Sequence, residues 1–331
     1  MPVIAPTDRP APRRQLGRAV LGLTLGAGAA ALVSPELFGL AGTLPFVQLV
    51  AFRPAVATGL LAAGAIAVLV RRRWWPVALL PALVAACAWG AITPRVVTGP
   101  DAPPGRPLTV LSFNVLEGSA DPTTLAATIR ADQPDLVVLP EAGYQFEQRL
   151  SRLVADLGYH SWSTTPEGEP DRTGIVVFAA AGLGPLTATP LELGTEFRWL
   201  RLSGGTLGNT DVVAVHTAAP VPALMSAWSD ELGQLRRWCA DGRGAHIVVG
   251  DVNATLDHAA LRSAITGCTD AAADRGEGLV ATWPTGWPRW LGAQIDHVFT
   301  VGGPRATDVQ VLDLPGSDHR ALLTHLVLRP H

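Results

Sequence analysis

The chain contains no lysine, and all 25 of its basic residues are arginine. That absence removes the Walker lysine, the Schiff-base lysine and the serine–lysine pair from its chemistry. Cysteine is nearly as scarce. Cys87, Cys239 and Cys268 show neither CxxC nor Cys/His spacing, so zinc-finger and thioredoxin readings lack their ligands. The C-terminal part also lacks the basic balance of a nucleic-acid binder. Residues 101–331 hold sixteen arginines against 26 acids, a net of −10, while residues 1–100 hold nine arginines against Asp8 and Glu36, a net of +7. An acidic domain repels a polyanionic backbone unless arginines cluster locally.

Three charge-free stretches occupy the first hundred residues. Seventeen residues separate Arg18 from Glu36, seventeen separate Arg53 from Arg71, and 21 separate Arg73 from Arg95. Each approaches the ~20 residues with which a helix crosses hydrocarbon. Residues 1–95 are therefore expected to form a membrane anchor of three transmembrane helices, the middle one starting near Phe46 with Arg53 snorkelling to an interface. A competing reading makes the first stretch a cleavable signal peptide, because Arg13, Arg14 and Arg18 precede small residues such as Ala29–Ala31. Two further spans would still hold the chain in the bilayer. Arg9, Arg13, Arg14, Arg18 and Arg71–Arg73 should stay inside. An odd number of spans then makes this a multi-pass cell-membrane protein with an extracytoplasmic C-terminal domain, where Cys239 and Cys268 can oxidise to a disulfide.

Residues 96–107, VVTGPDAPPGRP, read as a linker that neither continues a helix nor pairs well in a sheet. Residues 108–331 are long enough for one α/β core. Strands are expected at 108–115, 135–139, 174–180, 199–202, 211–216, 246–250, 294–301 and 321–328, and helices at 122–131 (capped by Asp121), 144–157 and 222–239.

Polar residues fall at the ends of these strands, where an α/β scaffold displays catalytic groups. Asn114 ends TVLSFNV and Glu141 ends DLVVLPE, oxygen donors of the kind a hard cation takes. His216 ends DVVAVHTAAP. In HIVVGDVNAT, Asp251 and Asn253 are two residues apart and share one side of an extended segment, where a carboxylate can orient water and an amide can donate to a phosphoryl oxygen. An Asx turn is the alternative reading of that pair. Asp296 and His297 lie in QIDHVFT, Asp318 and His319 in PGSDHRAL. Neighbours on a strand face opposite ways, so Asp296 is better placed than Asp318 to orient His319, and the resulting Asp–His pair suits a base acting near neutral pH. Asp318 is then free for a metal. Arg172, just before a strand, reads as a solvated arginine or as a contact for an anionic substrate.

The ordered series FNV, PE, HT, GDVN, IDH and SDH resembles the endonuclease/exonuclease/phosphatase family over about residues 107–328. The resemblance implies a four-layer α/β sandwich, two mixed β-sheets flanked by helices. It also implies a Mg²⁺- or Mn²⁺-dependent phosphoester hydrolase. Asn114, Glu141 and Asp318 match the metal positions. Asp251 and Asn253 match the residues that position water and contact phosphate, His319 the histidine beside the scissile phosphate, and Asp296 the acid that orients it. His216 matches the histidine that protonates a poor leaving group. His297 is read as packing. A phosphodiesterase acting outside the membrane on a lipid headgroup or small diester is the expected activity. An extracellular nuclease and a catalytically inactive binding module are the alternatives. The lysine that follows the glutamate in abasic-site endonucleases is missing after Glu141, which counts against repair chemistry.

Overall fold

The computed structural model describes residues 12–194, 197–240 and 244–329. Arg9 and the side chains of Arg13, Arg14 and Arg73 lie outside the described residues. The chain divides into two compact units, Met1–Ile92 and Thr93–His331.

The first unit is helical: α1 (Pro12–Val33), the short α2 (Phe46–Leu49), α3 (Arg53–Val70) and α4 (Trp75–Ile92). Among the described residues, three segments are long and apolar enough to cross a membrane, Leu16–Val33, Phe46–Val70 and Trp75–Val96. Between the helices, Val33, Ala57, Ala85 and Ala88 pack together, and a Cβ at Gly26 would strike Leu80. Small residues at such contacts let helix backbones approach closely in lipid. Large apolar side chains such as Leu23, Leu69, Leu79 and Leu83 are exposed. Arg53 is buried, and its Nη2 donates to Glu36 Oε1 and Oε2 at 3.1 and 3.2 Å.

The second unit is a four-layer α/β sandwich. Its strands are β1 (Arg106–Ser112), β2 (Leu136–Pro140), β3 (Tyr159–Ser163), β4 (Ile175–Ala180), β5 (Leu186–Leu191), β6 (Trp199–Gly204), β7 (Thr210–His216), β8 (Ala245–Asp251), β9 (Thr269–Asp270), β10 (Asp296–Val301), β11 (Arg305–Leu312) and β12 (Ala321–Leu328). They form two six-stranded sheets ordered β11-β12-β1-β2-β4-β3 and β5-β6-β7-β8-β10-β9. Both sheets are mixed: β1 and β2 are parallel, as are β7 and β8, and the other pairs are antiparallel.

Period-two alternation builds the layers. Leu108 and Val110 of β1 and Leu136 and Val138 of β2 face inward, meeting Val212 and Ala214 of β7 and Ile247 and Val249 of β8 in the core between the sheets. On the other face of the first sheet, Leu111, Val137 and Leu139 pack on α5 (Pro122–Asp132) and α6 (Tyr144–Leu153) through Leu125, Ile129, Phe146 and Leu150. Each such buried aliphatic contributes roughly 1.5–3 kcal/mol. Asp121 starts α5 by accepting from the Thr123 and Thr124 amides at 3.1 Å. The remaining helices are α7 (Met225–Gln234), α8 (Arg236–Cys239), α9 (Ala259–Ala264) and α10 (Ala271–Asp274).

The eight strands expected from the sequence are the eight interior ones, and β3, β5, β9 and β11, which the pattern did not give, are the four sheet edges. The helix expected at 222–239 is broken into α7 and α8. Residues 96–107 are not a free spacer. Arg95 Nη2 donates to Asp257 Oδ1 at 3.0 Å and to the Leu256 carbonyl at 3.1 Å. Gly99 N–H donates to the Asp274 carbonyl at 2.7 Å, and β1 already pairs from Arg106. Cys239 and Cys268 are joined by a disulfide with Cα atoms 4.9 Å apart.

Candidate active site

Strand register places the polar residues of the second sheet in one row. His216, the last residue of β7, is the direct partner of Asp251, the last of β8, and Asp251 is the direct partner of Asp296, the first of β10. All three are buried. Thr282 Oγ1 accepts from the Ile295 and Asp296 amides and so fixes the start of β10.

The first sheet supplies the opposite wall. Asn114, two residues beyond β1, turns the chain by accepting from the Leu116 amide at 2.9 Å. Its Nδ2 donates to Glu141 Oε1 and Asp251 Oδ2, both at 2.9 Å, joining the two sheets. Glu141 follows β2 directly with φ +58°, and its Oε2 accepts from the Glu117 amide at 3.0 Å. A positive φ on a residue other than glycine is sparsely populated, and the surrounding hydrogen bonds hold it.

Asn253, at φ +46°, donates its backbone N–H to Asp251 Oδ1 at 2.8 Å and its Nδ2 to the Thr217 carbonyl at 2.9 Å. The Asx turn and the site residue are thus the same feature. The Asn253 amide braces the loop after β7 and also donates, at 3.5 Å, to Asp251 Oδ2.

His319 and Asp296 meet from different segments. His319 Nδ1 lies 2.8 Å from Asp296 Oδ2, while Nε2 faces Asp251 Oδ2 at 3.8 Å and Asp318 Oδ1 at 3.9 Å. Asp318 Oδ2 accepts from Trp283 Nε1 at 2.9 Å. Ser317 Oγ donates to the Asn114 carbonyl at 2.8 Å and accepts from the His319 amide, tying this segment to the Asn114 turn. Asn114, Glu141, Asp251, Asp296 and His319 are therefore in one network, with His216 beside it: its Nε2 is 3.7 Å from Glu141 Oε1 and 3.9 Å from Asp251 Oδ2. Asp318 approaches the network through His319 Nε2, at 3.9 Å. Arg172 is exposed, yet its charge is felt by His216. Trp283, Thr282 and Ser317 were missed. Ser317 had a signal in its place one residue before Asp318, whereas the two others carry no spacing that marks them.

Burial and charge set the protonation pattern. Burial holds His216 down to about 3, helped by the nearby His319 charge, so this imidazole is neutral. Burial and then the Asp296 carboxylate push Asp251 up to about 7, and burial raises Glu141 as well. Burial also opposes a charge on His319, but Asp296 and Asp251 outweigh it and raise the group to about 10. The Asp296–His319 pair therefore makes a standing imidazolium, where the sequence suggested a base near neutral pH; two flanking carboxylates are the reason. Asp251 is the group whose proton affinity lies near neutrality. His297 stands apart, with Nδ1 2.7 Å from Asp270 Oδ2 and Nε2 3.0 Å from the Ala254 carbonyl.

This donor set fits a divalent cation. Three carboxylates share a buried space, two of them with raised proton affinity, and the buried Asp296 Oδ1 and Asp318 Oδ1 have no hydrogen-bond partner. Ligand atoms of Glu141, His216 and Asp251, and of Asp251, Asp296 and His319, fall within 4.8 Å of one another. Oxygen and imidazole donors of this kind suit hard or borderline metals.

The sequence model of the endonuclease/exonuclease/phosphatase family matches residues 111–319, which span every motif of the site. The chain belongs to this family. Endonuclease/exonuclease/phosphatase proteins are in general metal-dependent phosphoester hydrolases. Solved structures of the family share the fold. The endonuclease/exonuclease/phosphatase protein of Beutenbergia cavernae is 21% identical, over 68% of this chain and 72% of its own, with a TM-score of 0.51. That of Bacteroides vulgatus is 16% identical, over 68% of this chain and 100% of its own, with a TM-score of 0.51. D. rerio TDP2, complexed with a single-strand DNA product, is 15% identical, over 66% of this chain and 98% of its own, with a TM-score of 0.53. No curated protein matches significantly.

Proposed function

We propose that this protein is a Mg²⁺- or Mn²⁺-dependent phosphodiesterase whose catalytic unit lies outside the cytoplasmic membrane. The observation that carries the reading is the geometry of His319, whose Nδ1 is held by Asp296 Oδ2 at 2.8 Å while its Nε2 faces the buried Asp251 carboxylate at 3.8 Å. Glu141, Asn114 and Asp318 are the residues that would hold the metal, whose bound charge offsets the charge building on the phosphoryl oxygens.

Asp251 orients a water and takes its proton as the water oxygen bonds to phosphorus. Asn253 and the His319 cation donate to phosphoryl oxygens. As the P–O bond to the leaving alcohol breaks, that oxygen takes the proton of His319, and Asp251 returns its own proton to His319. The products are a phosphomonoester and an alcohol, with both residues restored. His216 was expected to protonate the leaving group. A neutral imidazole has no such proton to release at neutral pH, so His216 is assigned to positioning beside Glu141 and Asp251, 3.7 and 3.9 Å away.

The export of the catalytic unit is supported by the arginines flanking the spans and by the Cys239–Cys268 disulfide. The likeness to a TDP2 with a DNA product favours a nuclease as the second reading; the net −10 of residues 101–331 weighs against long nucleic acid. The test is hydrolysis of bis-p-nitrophenyl phosphate by the purified full-length protein. Activity should require Mg²⁺ or Mn²⁺ and fall about 10²–10⁴-fold in Asp251→Asn and in His319→Ala. Full activity in EDTA, or in both variants, sinks the assignment.

A further inference from the structure

Asn253 is held by more polar groups than packing explains. Its φ of +46° is a conformation that few residues other than glycine adopt. Two buried rings meet consecutive carbonyls at this point: Trp228 Nε1 donates to the Asn253 carbonyl at 3.1 Å, and His297 Nε2 lies 3.0 Å from the Ala254 carbonyl.

The side chain of Asn253 is held from the same helix as its carbonyl. Asn253 Nδ2 donates to the Thr217 carbonyl at 2.9 Å, and the N–H of that same peptide unit, on Ala218, donates to the buried Glu231 Oε2 at 2.6 Å. Glu231 lies three residues after Trp228, so the two share a face of α7. With one hydrogen of Nδ2 on Thr217, the other is directed to the Asp251 side, 3.5 Å from Oδ2. The Trp228 ring makes an edge contact with His258, 5.5 Å between centroids, and His258 Nδ1 accepts from the Thr255 amide at 2.9 Å.

His297 is anchored at its other nitrogen. Nδ1 lies 2.7 Å from Asp270 Oδ2, and Asp270 Oδ1 accepts from the Ala273 amide at 2.7 Å. Cys268, two residues before Asp270, is joined to Cys239. Neither a carboxylate nor a carbonyl donates, so both ring nitrogens carry hydrogen and His297 is a donor twice over. Where the sequence suggested packing, the ring ties β9 to the loop after β8.

Burying a carboxylate and an imidazolium costs free energy that apolar side chains of equal size do not incur. Here both groups converge on the loops that follow His216 and Asp251. A donor to a transition state has to be held within a fraction of an ångström, because a small misplacement forfeits much of the rate.

We propose that Trp228, Glu231 and His297 are positioning residues that hold Asn253 in the orientation from which it donates to the phosphoryl group. The inference rests on the phosphodiesterase reading above and names further residues of that reaction. Each acts through Asn253, and none is assigned a contact with substrate.

The test is a double-mutant cycle on the full-length protein with bis-p-nitrophenyl phosphate and Mg²⁺. Trp228→Phe keeps an aromatic ring and deletes the N–H. It should lower kcat about tenfold, the size of one hydrogen bond lost from the transition state. His297→Asn, whose short amide cannot span both anchors, should do the same, and His297→Gln, whose longer amide can keep a donor on Ala254, should recover most of the rate. In an Asn253→Ala background neither Trp228→Phe nor His297→Asn should lower kcat further. An unchanged kcat in the single variants overturns the positioning role. So does an equal loss in both backgrounds, since a purely structural defect is felt with or without the Asn253 amide.

A second readout needs no activity. The chain has three asparagines, Asn114, Asn209 and Asn253, so asparagine labelled with nitrogen-15 in the carboxamide gives three pairs of NH₂ signals. Asn253→Ala identifies one pair by its loss. Trp228→Phe should shift that pair and leave the Asn209 pair in place; an unmoved Asn253 pair overturns the bracing. Inactivity of the unsubstituted protein on every diester removes the phosphodiesterase reading, and in that case a shifted Asn253 pair upholds the bracing while an unmoved one overturns it.

Discussion

His216 and Asp251 are register partners across the parallel pair β7 and β8, and their side chains approach to 3.9 Å without sharing a proton-bearing hydrogen bond. Because burial keeps His216 neutral, His216→Ala should slow an unactivated diester and a nitrophenyl diester by a similar factor, on the order of tenfold. Parallel rate measurements on the two substrates decide it. A loss confined to the unactivated diester would return the leaving-group proton to His216.

Asp296→Asn should remove the main support of the His319 charge, leaving burial to lower its proton affinity from about 10. The sign follows from the active form being the imidazolium, so the alkaline limb of the rate profile moves to lower pH in the variant. The acid limb, set by Asp251, should move to lower pH as well, because the Asp296 carboxylate is the second cause of its raised proton affinity. A rate–pH profile of both proteins is the measurement, and an unmoved alkaline limb contradicts the assignment.

Removal of the metal should abolish turnover and Mg²⁺ or Mn²⁺ should restore it. Glu141→Gln keeps the size of the side chain and deletes the charge beside Asn114. It should raise the metal concentration needed for half-maximal rate by about 10–100-fold. Titration of activity with Mg²⁺ after EDTA treatment reads this directly.

His297 contributes to stability with a definite pH dependence. Both ring nitrogens face oxygen acceptors, and although burial opposes its charge, the Asp270 carboxylate outweighs burial and raises its proton affinity. A raised folded-state value means that the contribution is complete below the ordinary pKa of about 6.5 and is lost as pH rises through the higher folded value. Thermal unfolding should therefore show Tm falling between neutral and alkaline pH, and falling less steeply in His297→Gln. Identical slopes would assign the loss to other groups.

The disulfide closes a sequence separation of 29 residues. Chain entropy gives such a crosslink about 3–4 kcal/mol. Cys239→Ser/Cys268→Ser should lower the denaturation midpoint accordingly, and thiol labelling of the native protein should find neither cysteine free. A reporter joined to the C-terminus should behave as exported; a cytoplasmic signal would reverse the proposed topology.

The sequence made the interior of the sheets legible and hid their rims. Strands such as β2, with all five residues buried, read as uninterrupted apolar runs, whereas β3 (YHSWS) and β5 (LTATPL) are polar or proline-bearing and only partly buried. Their extended state comes from a single neighbour, a tertiary effect that no local pattern carries. At the site, residues at strand ends were readable because strand termini are. The protonation pattern was not. Whether His319 is a base or a cation depends on Asp251 and Asp296 arriving from other strands, and the role of Trp283 depends on a turn that places it 35 residues from its partner Asp318. The span boundaries followed from hydropathy alone, while the strapping of Arg95 onto Asp257 joins residues 162 apart and leaves no local mark.

The same four rim strands bear on how the domain behaves at high local concentration. An exposed strand edge is a template on which another chain can add, and sheets of six strands with flat apolar rims would polymerise. Here β9 is two residues long, β5 carries Pro190, β11 breaks register between Ala306 and Asp308, and β3 presents His160 and two serines. Each device leaves a would-be incoming strand without a regular ladder to join. The edges of both sheets therefore resist propagation by a second copy, however closely copies of the chain are crowded.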